Sequence, residues 1–205
     1  MLSLQTIQPD TLELLNAIVT LPQTKEMRLV GGTALALQYG HRQSIDLDFF
    51  GSFVGDKEEL IDSLKQIGRL SVNNQTNKIF QTTINNVKVD FVDYSRYNWI
   101  DSPVIENNIV LASPQDIAAM KVNAAIGRGT KKDFVDIYVL LQHYSLSQIF
   151  DFYRLKYPEY SDYRALLSLS YFEDAEEQDM PRLFINTTWE EMKQTIITAI
   201  NEYQK

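Results

Sequence analysis

Leu29-Val30-Gly31-Gly32-Thr33-Ala34-Leu35, followed by Ile45-Asp46-Leu47-Asp48-Phe49-Phe50, is the stretch from which the fold of this chain is read. The first segment has the pattern of strand, glycine turn and helix. Met27 to Val30 is a short apolar run stopped by Gly31-Gly32, and Thr33 to Gln38 is rich in Ala and Leu before Gly40. The second segment alternates, so a strand from Ile45 to Phe50 would put Ile45, Leu47 and Phe49 on one side and Asp46 and Asp48 on the other. Carboxylates at i and i+2 of a strand stand about 6.6 Å apart at Cα and point the same way, so their oxygens can converge on metal ions.

Moving outward, Val87 to Asp93 alternates again, with Val87, Val89 and Phe91 on the core face and Lys88 and Asp90 opposite. Asn85-Asn86 is a hairpin turn joining it to a strand from Ile79 to Ile84. Further strands are expected at Leu70 to Val72 and Ile109 to Leu111, and helices at Pro9 to Leu21, capped by Asp10, and Asp56 to Ile67. Ser113-Pro114-Gln115-Asp116 is a strong helix start, and helices follow at 115–126, 132–142, 146–153, 161–171 and 189–203, broken near Gly127-Arg128-Gly129, Pro158 and Pro181. The class is α+β: a mixed sheet with flanking helices over residues 1–112, then a helical region over 113–205.

The 205 residues, 44% hydrophobic, suffice for a packed core. With no cysteine, disulfides, thiolate metal sites and thiol nucleophiles are excluded. No apolar stretch approaches the roughly 20 residues a membrane helix needs, no basic, apolar leader opens the chain, and the expected location is the cytoplasm. A net charge of −8 argues against a broad nucleic-acid-binding surface, though Arg28, His41, Arg42, Lys121, Arg128, Lys131 and Lys132 gather in the motif-bearing part. The acidic run of Glu173, Asp174, Glu176, Glu177 and Asp179 reads as a solvated loop. The aromatic residues of 144 to 172 read as core packing.

Asp90, on the same sheet face as Asp46 and Asp48, has the parity to complete a two-metal clamp for in-line displacement at phosphorus. Three crowded carboxylates repel one another, and a divalent cation relieves this. The amides of Gly31 and Gly32 and the Thr33 hydroxyl can cradle phosphate oxygens where a helix begins. On the following helices, Lys121 and Arg128 share a face, suited with Arg42 to phosphate. Asp136 is expected to pair with Lys121, whereas Asp133 fits an ordinary N-terminal helix charge. His41 reads as a surface turn residue, and two histidines make no metal site.

Residues 29–35 and 40–50, with a second segment from Lys121-Val122-Asn123-Ala124 to Asp133-Phe134-Val135-Asp136, resemble the signatures of the AbiEii/AbiGii toxin family of nucleotidyltransferases. The resemblance implies a polymerase-β-like nucleotidyltransferase core, an NTP substrate, Mg2+ or Mn2+, and a toxin from a toxin–antitoxin or phage-defence pair, some members of which modify tRNA acceptor ends. It implies phosphate-holding Gly32 and Thr33, metal-binding Asp46 and Asp48, a nucleotide-contacting Lys121 and an acid at Asp136. Asp90 matches the third carboxylate less closely. The expected activity is NMP transfer from an NTP to a hydroxyl, with RNA as acceptor and a cognate antitoxin as partner. The same core would also serve a small-molecule acceptor of antibiotic type, or a non-catalytic partner-binding protein.

Overall fold

Two Asn-Asn turns and a set of alternating apolar runs build the sheet of this computed structural model, which describes residues Met1–Lys205. Its strands are β1 (Met27–Val30), β2 (Leu47–Gly51), β3 (Leu70–Gln75), β4 (Ile79–Ile84), β5 (Val87–Asp93), β6 (Val104–Glu106) and β7 (Ile109–Leu111). They lie in the order β3-β4-β5-β2-β1-β7-β6. Asn85 and Asn86 both take positive φ, 49° and 68°, in the expected β4–β5 hairpin. Asn107 and Asn108 do the same, at 51° and 65°, in a β6–β7 hairpin whose first strand was not anticipated. β2 runs parallel to β5 and antiparallel to β1. The α+β class with a mixed sheet is as the sequence indicated.

Strand registry sorts the side chains. Phe80 faces Phe91, Phe91 faces Phe49, Phe49 faces Leu29 and Leu29 faces Leu111, giving one buried row across five strands. Phe49 and Phe91 stack with ring centroids 5.5 Å apart, and Phe80 and Phe91 lie 6.0 Å apart. One residue along each strand, the neighbouring row points to the opposite face, because side chains alternate with period two. α2 (Gly31–Tyr39) packs on β1 and β2, while α1 (Pro9–Ile18) packs on α3 (Lys57–Ile67).

Three local expectations need correction. β2 begins at Leu47, not Ile45, and Ile45 is 58% exposed instead of facing the core. The reason is its partner: β1 gives way to α2 after Val30, which pairs with Asp48, leaving residues 44–46 no strand on that side. Asp10 lies in the first turn of α1 and does not cap it; Gln8 is the N-cap, with Pro9 next. Within the acidic run, Glu173–Glu176 forms a helical turn, and Glu176 accepts from Trp189 Nε1 at 3.0 Å and Lys193 Nζ at 2.6 Å.

The chain divides into two compact units: Met1–Gly40, Ser44–Asn98 and Pro103–Ala112, holding the sheet, and His41–Gln43, Trp99–Ser102 and Ser113–Lys205. The second contains α4 (Pro114–Gly127), α5 (Lys131–Leu141), α6 (Leu146–Lys156), α7 (Asp162–Ser170), α8 (Glu173–Glu176) and α9 (Trp189–Tyr203). Phe134, Phe172 and Trp189 form an aromatic cluster there, and Phe150 and Tyr153 are buried. Ser113 caps α4 by accepting from the Asp116 N–H at 3.0 Å, with Pro114 in the first helical position.

Asp116 and Lys156 form a fully buried ion pair at 2.7 Å. The carboxylate also accepts from the Ile100 N–H at 2.9 Å and the Ser113 hydroxyl at 2.6 Å. Lys156→Met keeps the apolar stem and removes the counter-charge. It should cost about 3–5 kcal/mol in urea unfolding, since a lone buried charge is far worse than either a pair or none. A loss below about 1 kcal/mol would mean the pair counts for no more than a surface bridge.

Candidate active site

Next to the aromatic row, on the other face of the sheet, lies a second row: Gln81 on β4 faces Asp90 on β5, Asp90 faces Asp48 on β2, and Asp48 faces Val30 at the end of β1. Two carboxylates are thereby held on adjacent strands, whose spacing is about 4.8 Å. Directly after Val30, Gly31 takes φ +68°, and a Cβ built there would lie 2.5 Å from Asp48 Oδ2. Both conformation and space demand glycine, and the Asp48 carboxylate rests against bare backbone at the start of α2. No side chain caps that helix, so its first amides carry the positive end of the dipole beside Asp48.

The other residues of the acidic segment are positioned by hydrogen bonds. Buried Thr33 is bonded through its hydroxyl to Ser44 Oγ, 2.8 Å away, and to the main-chain carbonyl of Asp46. Ser44 N–H donates to the Thr6 carbonyl at 2.8 Å. The Thr33 hydroxyl thus fixes the peptide that leads into β2. Asp90, 7% exposed, receives Gln81 Nε2 at 2.9 Å and Lys88 Nζ at 3.0 Å, both on Oδ2. Partial burial would lower the Lys88 pKa, but the bond to Asp90 and the charges of Asp90, Asp48 and Asp46 outweigh it and hold the ammonium above its ordinary value.

Asp90 Oδ1 is buried without a hydrogen-bond partner. A buried carboxylate oxygen left unbonded costs free energy that a cation would recover. No three acidic or histidine side chains form a ready-made metal cage. The register-paired Asp48 and Asp90 supply two carboxylates, which suits Mg2+, an ion bound through one or two carboxylates with phosphate and water completing its shell. The donor set therefore fits a divalent metal that arrives with a polyphosphate.

In the helical unit, Asp136 is fully buried and surrounded. Arg42 grips it through Nε at 2.7 Å and Nη2 at 2.8 Å, His41 Nε2 lies 2.8 Å away, and Lys121 Nζ 2.6 Å away. Lys121 also reaches Asp133 at 3.2 Å, and Arg128 grips Asp133 through Nε at 2.8 Å and Nη2 at 2.9 Å. Asp133 closes a capping box with Thr130 at the start of α5. Burial would raise the Asp136 pKa. The charges of Arg42 and Lys121 and the bonds from His41 and Arg42 overcome it and hold the carboxyl well below its ordinary value of 3.8. Asp133 is lowered likewise, against burial, chiefly by Arg128 and Lys121.

The expected site residues thus fall into two groups. Gly31, Gly32, Thr33, Asp46, Asp48 and Asp90 lie in the sheet unit, and Arg42, Lys121, Arg128 and Asp136 in the helical unit. The Lys121–Asp136 pair forms as anticipated. Arg42 and Lys121 are buried in carboxylate bonds, and the Arg128 side chain remains 54% exposed. His41 is not a surface residue but a buried partner of Asp136. Lys88 and Gln81 had no role assigned; the strand parity that singled out Asp90 also puts Lys88 beside it.

A family model described as nucleotidyl transferase AbiEii toxin, type IV TA system, matches residues 13–203. The chain belongs to this family. It is therefore an AbiEii-type nucleotidyltransferase of the toxin class found in type IV toxin–antitoxin systems. An uncharacterized protein of Aquifex aeolicus (strain VF5) is 32% identical over 207 residues, covering 96% of this chain and 97% of that one. JHP933 from Helicobacter pylori is similar in structure, with TM-score 0.56 at 16% identity over 96% of this chain and 92% of that one. MenT4, the nucleotidyltransferase toxin Rv2826c of Mycobacterium tuberculosis H37Rv, has TM-score 0.55 at 12% identity, covering 95% and 86%. The antibiotic-resistance factor ANT(2'')-Ia has TM-score 0.53 at 16% identity, covering 71% and 91%. At such identities these structures share the fold. No helix of this AbiEii-family chain is long and apolar enough to cross a membrane.

Two measurements probe the geometry. Gly31→Ala should cut pyrophosphate release from NTP about 100-fold by displacing Asp48, with about 1–3 kcal/mol lost in stability for the left-handed backbone; near-normal turnover would show that Asp48 need not sit against Gly31. For Asp136, a folded pKa below the unfolded one means that its contribution is complete above the unfolded value and is lost as pH falls through the folded value. Wild-type stability should therefore drop as pH is lowered below about 4, and Asp136→Asn, compared with its own stability at neutral pH, should drop less. Parallel curves would assign the acid sensitivity to other carboxylates.

Proposed function

We propose that this AbiEii-type enzyme transfers NMP from an NTP to a hydroxyl of RNA, with the 3′ end of tRNA as acceptor, and that a cognate antitoxin holds the activity in check. The observation that carries the reading is the register pairing of Asp48 with Asp90 beside the Gly31 backbone, with one buried Asp90 oxygen open to a cation. Asp48 and Asp90, aided by Asp46, would hold Mg2+ or Mn2+. That metal, when bound, supplies charge neutralisation on the triphosphate and acidifies the attacking hydroxyl.

The chain's own residues do the rest. The amides of Gly31 and Gly32, at the uncapped start of α2, bind phosphate oxygens. Thr33 holds the Asp46 peptide in place. The acceptor oxygen forms its bond to the α-phosphorus as the bridge to the β-phosphate breaks. Its proton passes to an Asp90 oxygen, and pyrophosphate leaves. Arg128, half exposed and braced by Asp133, presents a guanidinium suited to a phosphate group. Lys121, Asp136 and Arg42 act as an anchor for residues 41–43, just upstream of Asp46.

The test is transfer of labelled NMP from each NTP to total tRNA, and separately to small hydroxylated acceptors, with Mg2+ or Mn2+ present. Labelled tRNA is expected, lengthened at its 3′ end by sequencing, and Asp48→Ala should lower the rate by at least about 1000-fold while the fold persists. Undiminished transfer by folded Asp48→Ala would remove the site assignment. Label on small acceptors alone would replace RNA as the substrate.

A further inference from the structure

We propose that Lys88 is a resident counter-ion that makes divalent metal and NTP bind to this enzyme together. The inference deepens the proposed function and rests on its metal-binding reading of Asp48 and Asp90.

Lys88 and Asp90 are two apart on β5, so their side chains leave the same face, and Lys88 Nζ lies 3.0 Å from Asp90 Oδ2. Asp48 faces Asp90 across the parallel β2–β5 pairing, and Asp46, just before β2, is near enough for its charge to act on Lys88. Three carboxylates and one ammonium thus share this end of the two strands. Gln81 Nε2 fixes Asp90 Oδ2 from the other side at 2.9 Å, and Oδ1 is the buried oxygen with no partner. Lys88 is the cation of the group that can move: its side chain is 49% exposed, on a flexible four-carbon stem.

An ammonium already on Asp90 does two things to an incoming divalent ion. It occupies one carboxylate oxygen, and it repels a doubly charged neighbour at short range. Metal alone is therefore bound weakly. A triphosphate changes the balance, because its oxygens give the ammonium a new partner while adding ligands to the metal. Each ligand then favours the other, and the coupling is reciprocal. Lysine, a compact point charge with three rotatable donors, suits this exchange between carboxylate and phosphate.

The test is Mn2+ binding followed by electron paramagnetic resonance of the free ion, with and without an α,β-methylene NTP analogue that cannot be turned over. Wild type should bind Mn2+ weakly alone and much more tightly with the analogue. Lys88→Met, at a half-exposed position where folding is checked by circular dichroism, should bind Mn2+ alone about tenfold more tightly and gain less from the analogue. Lys88→Arg should behave like wild type. Equal or weaker Mn2+ binding by Lys88→Met without nucleotide, or an unchanged gain from the analogue, overturns the inference while leaving the metal site intact. Mn2+ binding that Asp48→Asn does not weaken overturns the metal reading itself, and this inference with it.

Discussion

The pairing of β2 with β5 is the constraint on which everything else in the sheet unit depends. Because side chains alternate along both strands, one register satisfies two demands at once: Phe49 meets Phe91 in the core, and Asp48 meets Asp90 on the opposite face. A slip of one residue would bury the carboxylates and expose the aromatic rings. Burial of the Phe80, Phe91 and Phe49 side chains, each worth about 1.5–3 kcal/mol relative to exposure, therefore holds two like charges side by side. The repulsion between those charges opposes folding without a cation, and Lys88 is the fold's own partial remedy.

The helical unit solves a different problem. Asp136 and Asp133 are buried and held by Arg42, Lys121, His41 and the half-exposed Arg128, and removing Asp136 would leave the buried Arg42 charge in a poorly solvating interior. Such a network adds little net stability compared with an apolar core of the same shape, but it discriminates strongly between the right and wrong arrangement of its members. Here the discrimination falls on residues 41–43. Their backbone is bonded to residues 182 and 184, Gln43 N–H to the Arg182 carbonyl and Phe184 N–H to the His41 carbonyl, while Arg42 and His41 grip Asp136. The peptide that precedes the acidic strand is thus tied by charge to α5 and by main-chain bonds to the segment before α9.

Much of this was legible because it depends on period and turn chemistry alone. The β1–α2 junction, the Leu47–Phe50 part of the acidic strand, the β4–β5 hairpin with its Asn pair and the Ser113-Pro114 helix start all follow from local preference, and the structure keeps them. The second Asn pair at 107–108 carried the same signal as the first, and β6 was missed only because Val104–Glu106 is too short to show alternation. Ile45 departs from its expected facing because alternation says nothing about where a partner strand ends. The burial of His41 and Arg42 was not readable either: what draws them inward is a carboxylate 94 residues further on, and an ion network of that kind leaves no periodic trace.

Net charge sharpens how a phosphate group meets this surface. At −8 the molecule has no general attraction for RNA, and the carboxylate row is itself repulsive to phosphate. Any polyanion approaching that row must be met by cations in the same place. The fold offers Lys88 beside Asp90, the uncapped amides of α2 beside Asp48, and the metal that the unbonded Asp90 oxygen invites. Attraction for phosphate at this row is therefore local and conditional on those positive charges.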